Sequence, residues 1–430
     1  MRVPYSILGA LLLASGALAQ GEAEDAASAA LIERARAIHQ RVITLDTHKD
    51  ISPQLAPEQL PSDPATRKRY RETHDPTVRG NQQVDFPKMR EGGYDCGFFI
   101  VYVGQRQNNP AGFAYALREA NKKFDAIHRM VRLYPEHIAL ATSPDEVERL
   151  AAAGKLIACI GIENGYPMGE DLSLISKFHE RGARYMSIAH NRHSQLGDSH
   201  TPAEPLHGGL SELGREAVAE MNRVGIMVDI SHSSKQAMME VVALSKAPPI
   251  ASHSGCRAIC DVTRNLDDEQ LKALAAAGGV IQCVGLESFV SDYTARRAAE
   301  AALREEVGLP PRRSREVVED FDQKMAVFKR RLVEVDRAFP RADVSAFVDH
   351  IDHAVAVMGI DHVAISSDFD GGGGVVGWND AAETFNVTLE LVRRGYSEEQ
   401  IAKIWSGNTL RVWREVERVA ARLQAAERKD

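Results

Sequence analysis

Cysteine is scarce in this chain of 430 residues: there are five, at 96, 159, 256, 260 and 283. The odd count leaves at least one thiol unpaired, and a disulfide framework is excluded as the source of stability. Cys96, Cys159 and Cys283 lie in or beside apolar runs, where a free thiol behaves as a small hydrophobe. Long apolar runs are also missing. The stretch Ile7–Leu13 falls short of the roughly 20 residues that a membrane helix needs. Nor is there an excess of positive charge: 52 Lys and Arg stand against 60 Asp and Glu, a formal net charge of −8. With no basic stripe in any segment, nucleic-acid binding is not expected. No Gly-rich phosphate loop follows the first strand-like run, which removes the usual nucleotide-binding variant of an open α/β sheet.

What is present begins with a targeting pattern. Arg2, the apolar stretch and Ala17-Leu18-Ala19 read as a signal peptide over residues 1–19, so the protein is expected to be secreted or periplasmic. The full chain has a hydrophobic content of 44% and a charged content of 26%, and the remainder, 20–430, is read as one globular domain with a sizeable core. No apolar tail closes the sequence, so no transmembrane anchor is expected.

Short runs rich in Val, Ile and Phe recur at Val42–Asp46, Gly97–Val103, Leu156–Ile162, Arg184–Ile188, Ile226–Ile230, Pro249–Ala251, Gly279–Val284 and His362–Ser366. Apolar runs without polar alternation suit strands buried on both faces of a parallel sheet. Amphipathic helix patterns alternate with them, at Ala111–Leu133, Pro144–Ala153, Asp171–Arg181, Ser211–Arg223, Lys235–Ser245, Asp267–Ala277 and Ser345–Met358. Ser143 with Glu146 predicts a capping box, and Gly154, Gly182, Gly225 and Gly278 stand at C-cap positions. Eight such units predict an α/β chain folded as one (β/α)8 TIM-type barrel, with a doubly wound open sheet as the structural alternative. A charge-rich helical insertion is expected over about 291–341, most simply as a solvated face.

The chemistry sits where these runs stop. The first is followed by His48 and Asp50, the third by Glu163, the fourth by His190, the fifth by His232, the sixth by His253, and the eighth by Asp368 and Asp370. In a barrel these ends converge on one rim. His48 and Asp50, two apart in an extended strand, point to one side. With Glu163, His232 and His253 they form an imidazole and carboxylate set suited to zinc. A single carboxylate can bridge two ions roughly 3.5–4 Å apart. Glu163 is alone on its strand end and is assigned that bridge, with His48 and Asp50 on one ion and His232 and His253 on the other. His350 and His353, three apart on one helix, are read as structural or as supports behind the metal ligands.

The pieces Leu45-Asp46-Thr47-His48-Lys49-Asp50, Gly161-Ile162-Glu163-Asn164-Gly165, Ile188-Ala189-His190-Asn191, Asp229-Ile230-Ser231-His232-Ser233, Ser252-His253-Ser254-Gly255, Arg264-Asn265 and Ser367-Asp368-Phe369-Asp370-Gly371 resemble the membrane dipeptidase (renal dipeptidase) family of zinc peptidases. Order and spacing agree from about residue 40 to Val412. The resemblance implies a zinc-dependent dipeptidase of a bacterial type, acting on L,L- and L,D-dipeptides through a hydroxide bridging two zinc ions. It implies that His190 contacts the substrate near the scissile carbonyl. Arg264 would pair with the terminal carboxylate, and Asp368 would handle protons at the scissile amide. The small-molecule partner is thus a dipeptide, and a homodimer is the oligomer considered. Asn164 departs from the family, standing where its mammalian members have Gly. The rival enzyme reading is another binuclear barrel amidohydrolase, a deaminase or lactonase. Such enzymes commonly offer two first-strand histidines and a modified lysine bridge. The non-enzyme rival, a binding protein on a decayed barrel, predicts gaps in the ligand set, and the sequence has none.

Overall fold

The computed structural model describes residues 28–428 other than 313, 315 and 317, so the leader expected at 1–19 lies outside the described residues. Nine strands form one sheet: β1 (Leu45–Asp50), β2 (Cys96–Tyr102), β3 (Ile138–Leu140), β4 (Leu156–Glu163), β5 (Ala183–Ser187), β6 (Met227–Asp229), β7 (Ile250–Ser254), β8 (Val280–Val284) and β9 (Val363–Ser366). All pairings are parallel, in the order β1-β2-β4-β5-β6-β7-β8-β9, with short β3 set against the edge of β4. The amides of Asp368 and Asp50 donate to the carbonyls of His48 and Phe369 at 3.0 and 2.8 Å and draw the ends together. Eight strands with helices between them make a nearly closed (β/α)8 barrel, as the alternation of patterns predicts.

Two-residue periodicity divides each strand between two cores. Cys96, Phe98 and Ile100 of β2 pack inward with Ile157 and Cys159 of β4, while Phe99, Val101, Ala158 and Ile160 face the helix layer. Leu410, Trp413 and Val416 of the helix Asn408–Glu427 join the inner cluster and close the end where the strands begin. Large apolar side chains thus fill one end of the barrel, and the polar residues occupy the other. All five cysteines are free and buried, and the Cys96 and Cys159 sulfurs lie 3.7 Å apart.

The first strand differs from the sequence reading. It spans Leu45–Asp50 rather than Val42–Asp46, so His48 and Asp50 lie within it. Its register slips between Asp46 and Lys49. Leu45 faces inward, and strict alternation would send His48 and Asp50 out to the helices. The bulge reverses the parity and turns both inward. Lys49 then points outward over the Phe99 ring and pairs with Asp370 at 3.2 Å.

The predicted C-cap glycines all adopt left-handed backbone, with φ between 68° and 98°. Ser143 caps its helix, but Glu146 completes no box, because its carboxylate accepts from the Thr142 amide one residue earlier. The insertion forms helices Thr294–Glu306 and Phe321–Ala338, within the expected 291–341. Between them lies a small apolar cluster of Leu303, Leu309, Phe328 and Val335, so this segment is more than a solvated face. His350 is structural, accepting from the Cys256 amide through Nδ1 and bonding the Val290 carbonyl through Nε2. His353 pairs with Asp268 at 2.7 Å. No helix among the described residues is long and apolar enough to cross a membrane.

Candidate metal centre

At the C-terminal ends of the strands, the four histidines converge on Glu163. Its Oε1 lies 3.0 Å from His232 Nε2, 3.4 Å from His253 Nε2 and 3.5 Å from His190 Nε2, while Oε2 lies 3.6 Å from His48 Nε2. His48 Nε2 is in turn 3.7 Å from Asp50 Oδ2 and 3.9 Å from Asp368 Oδ1. Three groups of possible metal ligands overlap here: His48, Glu163 and His253; Glu163, His190 and His232; His48, Asp50 and Asp368. Glu163 and His48 each belong to two of them.

Whether this donor set fits a cation can be read from the protons on the three imidazoles. The Tyr185 hydroxyl donates to the Thr47 carbonyl at 2.9 Å, so it accepts from His48 Nδ1 at 3.0 Å. The Ser252 hydroxyl donates to Asp229 Oδ2 at 2.7 Å and therefore accepts from His253 Nδ1 at 2.8 Å. His232 Nδ1 faces the Asn191 carbonyl oxygen at 3.1 Å. Each ring thus carries its proton on the outward nitrogen and aims an Nε2 lone pair into the site, the arrangement that orients metal-bound histidines. Two of these lone pairs, on His232 and His253, face each other at 2.9 Å, and buried His48 Nε2 has no hydrogen-bond partner. Neutral nitrogens held this way repel one another unless a cation sits among them.

The electrostatics agree. Burial opposes charge on His48, yet Glu163, Asp50 and Asp368 outweigh it and hold its pKa well above the ordinary value, so the carboxylates demand positive charge at Nε2. Glu163 is pulled the other way. Burial favours its neutral form, but His190, His48, His232 and His253 keep it ionised, well below the usual range. His232 and His253 are pushed well down, chiefly by burial, and stay neutral as ligands must. The residues fit a metal centre.

The backbone bends to build this site. Asn164, His232, Asp368 and Asp370 all have φ between 56° and 75°, a conformation that costs energy and clusters at functional sites. Asn164 adopts a left-handed turn, which Asn tolerates better than most residues, and its Oδ1 accepts from the Tyr166 amide. Asp368 and Asp370 are two apart, a spacing that would keep both on one side of an extended strand, but positive φ at both turns them apart. Asp368 faces His48, whereas Asp370 accepts from the Gln83 amide at 2.8 Å and pairs with Lys49. Burial, abetted by Asp50 and Glu163, raises the Asp368 pKa well above the ordinary value.

His190 stacks between the rings of His232 and Tyr102, at centroid distances of 4.3 and 4.7 Å, and burial lowers its pKa. Arg264 is buried beside β7. It donates from Nη1 to Ser254 Oγ at 2.7 Å and from Nη2 to the His253 carbonyl, while Nε is left without an acceptor. The sequence reading missed Tyr185, Asp229 and Ser252. In an apolar strand a Tyr reads as core, so Tyr185 gave no signal.

Comparison with known proteins agrees with this geometry. The profile of the membrane dipeptidase family (peptidase family M19) matches residues 32–427. Dipeptidase aclJ of Aspergillus oryzae is 33% identical over 346 residues, covering 79% of this chain and 72% of that protein. The crystal structure of the probable dipeptidase PvdM from Pseudomonas aeruginosa is similar at a TM-score of 0.76 with 32% identity, covering 91% of this chain and 99% of that one. A dipeptidase AC structure, described as a metallopeptidase of family M19, has a TM-score of 0.65 at 26% identity, covering 87% of this chain and 98% of its own. The chain belongs to the membrane dipeptidase family, peptidase family M19, a family of metallo-dipeptidases.

Proposed function

We propose that this enzyme uses two zinc ions, one on His48 and Asp50 and one on His232 and His253, bridged by Glu163, to hydrolyse dipeptides. The observation that carries the proposal is the set of three imidazoles whose outward protons are fixed by Tyr185, Ser252 and Asn191, with their free lone pairs aimed at one carboxylate. Mixed nitrogen and oxygen donors of this kind suit zinc. Metal held there would supply Lewis acidity, which makes a nearby water ionise close to neutral pH and polarises a substrate carbonyl.

The protein's own groups do the rest. His190, held against Tyr102 and facing the Glu163 side of the site, would hydrogen-bond the scissile carbonyl oxygen as negative charge grows on it. Asp368, which faces His48, would take a proton from the attacking water and return it to the leaving amine. Arg264, with Nε unsatisfied, anchors the C-terminal carboxylate and so limits the substrate to one residue beyond the scissile bond. Acceptance of a D-residue at that position, and export through the 1–19 leader, rest on the family likeness and the leader pattern respectively.

Arg264→Met tests the anchor. Turnover of a dipeptide is compared with that of the same dipeptide as its C-terminal amide, so that general damage cancels in the ratio. The wild type should favour the free acid by about a hundredfold, as expected for a charged pair out of water. The variant should lose most of that preference. Equal losses on acid and amide would contradict the assignment.

A further inference from the structure

Lys123 has no part in the chemistry described so far, yet it reaches the same opening. It lies on the helix Pro110–Leu133 after β2, with its side chain 11% exposed and its ammonium 5.5 Å from the centre of the Tyr102 ring. Its only carboxylate partner among the described residues is Asp50 Oδ1, at 3.8 Å. That is an ion contact too long for a direct hydrogen bond. A cation so far removed from water is costly unless something pairs with it, and here its donors are left free of any carboxylate in bonding range. The side chains of Asp50, Asp368 and His190 keep 15%, 10% and 21% of their exposure. These partly open groups, with Lys123, border the space a substrate enters.

Topology says which end of the substrate meets Lys123. Around the barrel β2 and β7 are four places apart, across the ring from one another. Arg264 follows β7 and Lys123 follows β2. If the C-terminal carboxylate sits on Arg264, the N-terminal residue extends toward Asp50 and Lys123. Resting on the dipeptidase reading, we propose that Lys123 is a specificity residue that binds a carboxylate on the side chain of the substrate's N-terminal residue, so the enzyme favours dipeptides beginning with an acidic residue. Asp50 Oδ2 faces His48 and serves the metal centre, and Oδ1 faces Lys123, so the ammonium is held between them and the Tyr102 face without being neutralised by a close bond.

The test measures kcat/KM for Glu-Ala, Gln-Ala and Lys-Ala, with zinc content, in wild type, Lys123→Gln and Lys123→Glu. Wild type should prefer Glu-Ala to Gln-Ala by about tenfold, the scale of one charge-assisted hydrogen bond. Lys123→Gln should bring that ratio to about one, and Lys123→Glu should shift preference toward Lys-Ala. A wild type indifferent to Glu against Gln, or a preference that survives Lys123→Gln, would overturn the proposal. So would an equal fall on all three peptides accompanied by lost zinc, because Lys123 would then merely position Asp50. If zinc-loaded wild type cleaves none of the three or any other dipeptide, the dipeptidase reading itself fails, which is a distinct result.

Discussion

Glu163→Gln is expected to cut kcat/KM for dipeptides by at least about a thousandfold and to reduce bound metal from two ions per chain to one or fewer. The size follows from its position. Both carboxylate oxygens are engaged, Oε1 toward His232 and His253 and Oε2 toward His48, so the Glu163 carboxylate links the two halves of the site. An amide keeps the volume but loses the charge, and it offers a donor where three lone pairs already converge. Loss of a supporting hydrogen bond to a metal ligand typically costs 10–100-fold, on the order of magnitude reported for such sites, and loss of the shared ligand must exceed that. Elemental analysis and steady-state kinetics on the purified variant check the expectation, with circular dichroism to show that the fold persists. Two retained ions with near-normal turnover would remove Glu163 from the bridge.

Asp368→Asn carries the second large effect. The substitution keeps shape, and Asn tolerates the left-handed backbone at φ 56° as well as Asp does, so the turn should survive. What disappears is the titratable group. General acid–base groups contribute about 10²–10⁴-fold, and kcat should fall within that range while KM and metal content change little. The raised pKa of Asp368, caused first by burial and then by Asp50 and Glu163, suits a group that must both hold and release a proton. A variant with kcat within a few fold of wild type would shift the proton-handling role elsewhere. Asp370 would be a poor successor, since it is bound to Lys49 and the Gln83 amide.

The barrel was legible in the sequence because parallel strands buried on both faces leave continuous apolar runs, and the helix C-cap glycines punctuate them. Three candidate ligand positions, Glu163, His232 and His253, stood at or just beyond such runs and could be collected on one rim from topology alone. His48 and Asp50 needed more. Simple alternation from inward-facing Leu45 would have turned both away from the site, and only the β1 bulge, a property of pairing with β2 and β9, turns them in. The residues that fix the imidazole tautomers were harder still. Tyr185, Asp229 and Ser252 come from β5, β6 and β7, and nothing local distinguishes them from ordinary buried residues. Asp368 and Asp370 show the converse: two-residue spacing gives a shared face in an extended strand, but left-handed backbone at both positions separates them, and a sequence does not display φ.

The metal count of the wild-type protein bears most directly on the account. Protein purified and dialysed into metal-free buffer, then analysed for metal per chain, should carry about two zinc ions. Dipeptide turnover should vanish as a chelator removes them and return as zinc is restored. A chain that holds no metal yet cleaves dipeptides at full rate in the presence of chelator would contradict it.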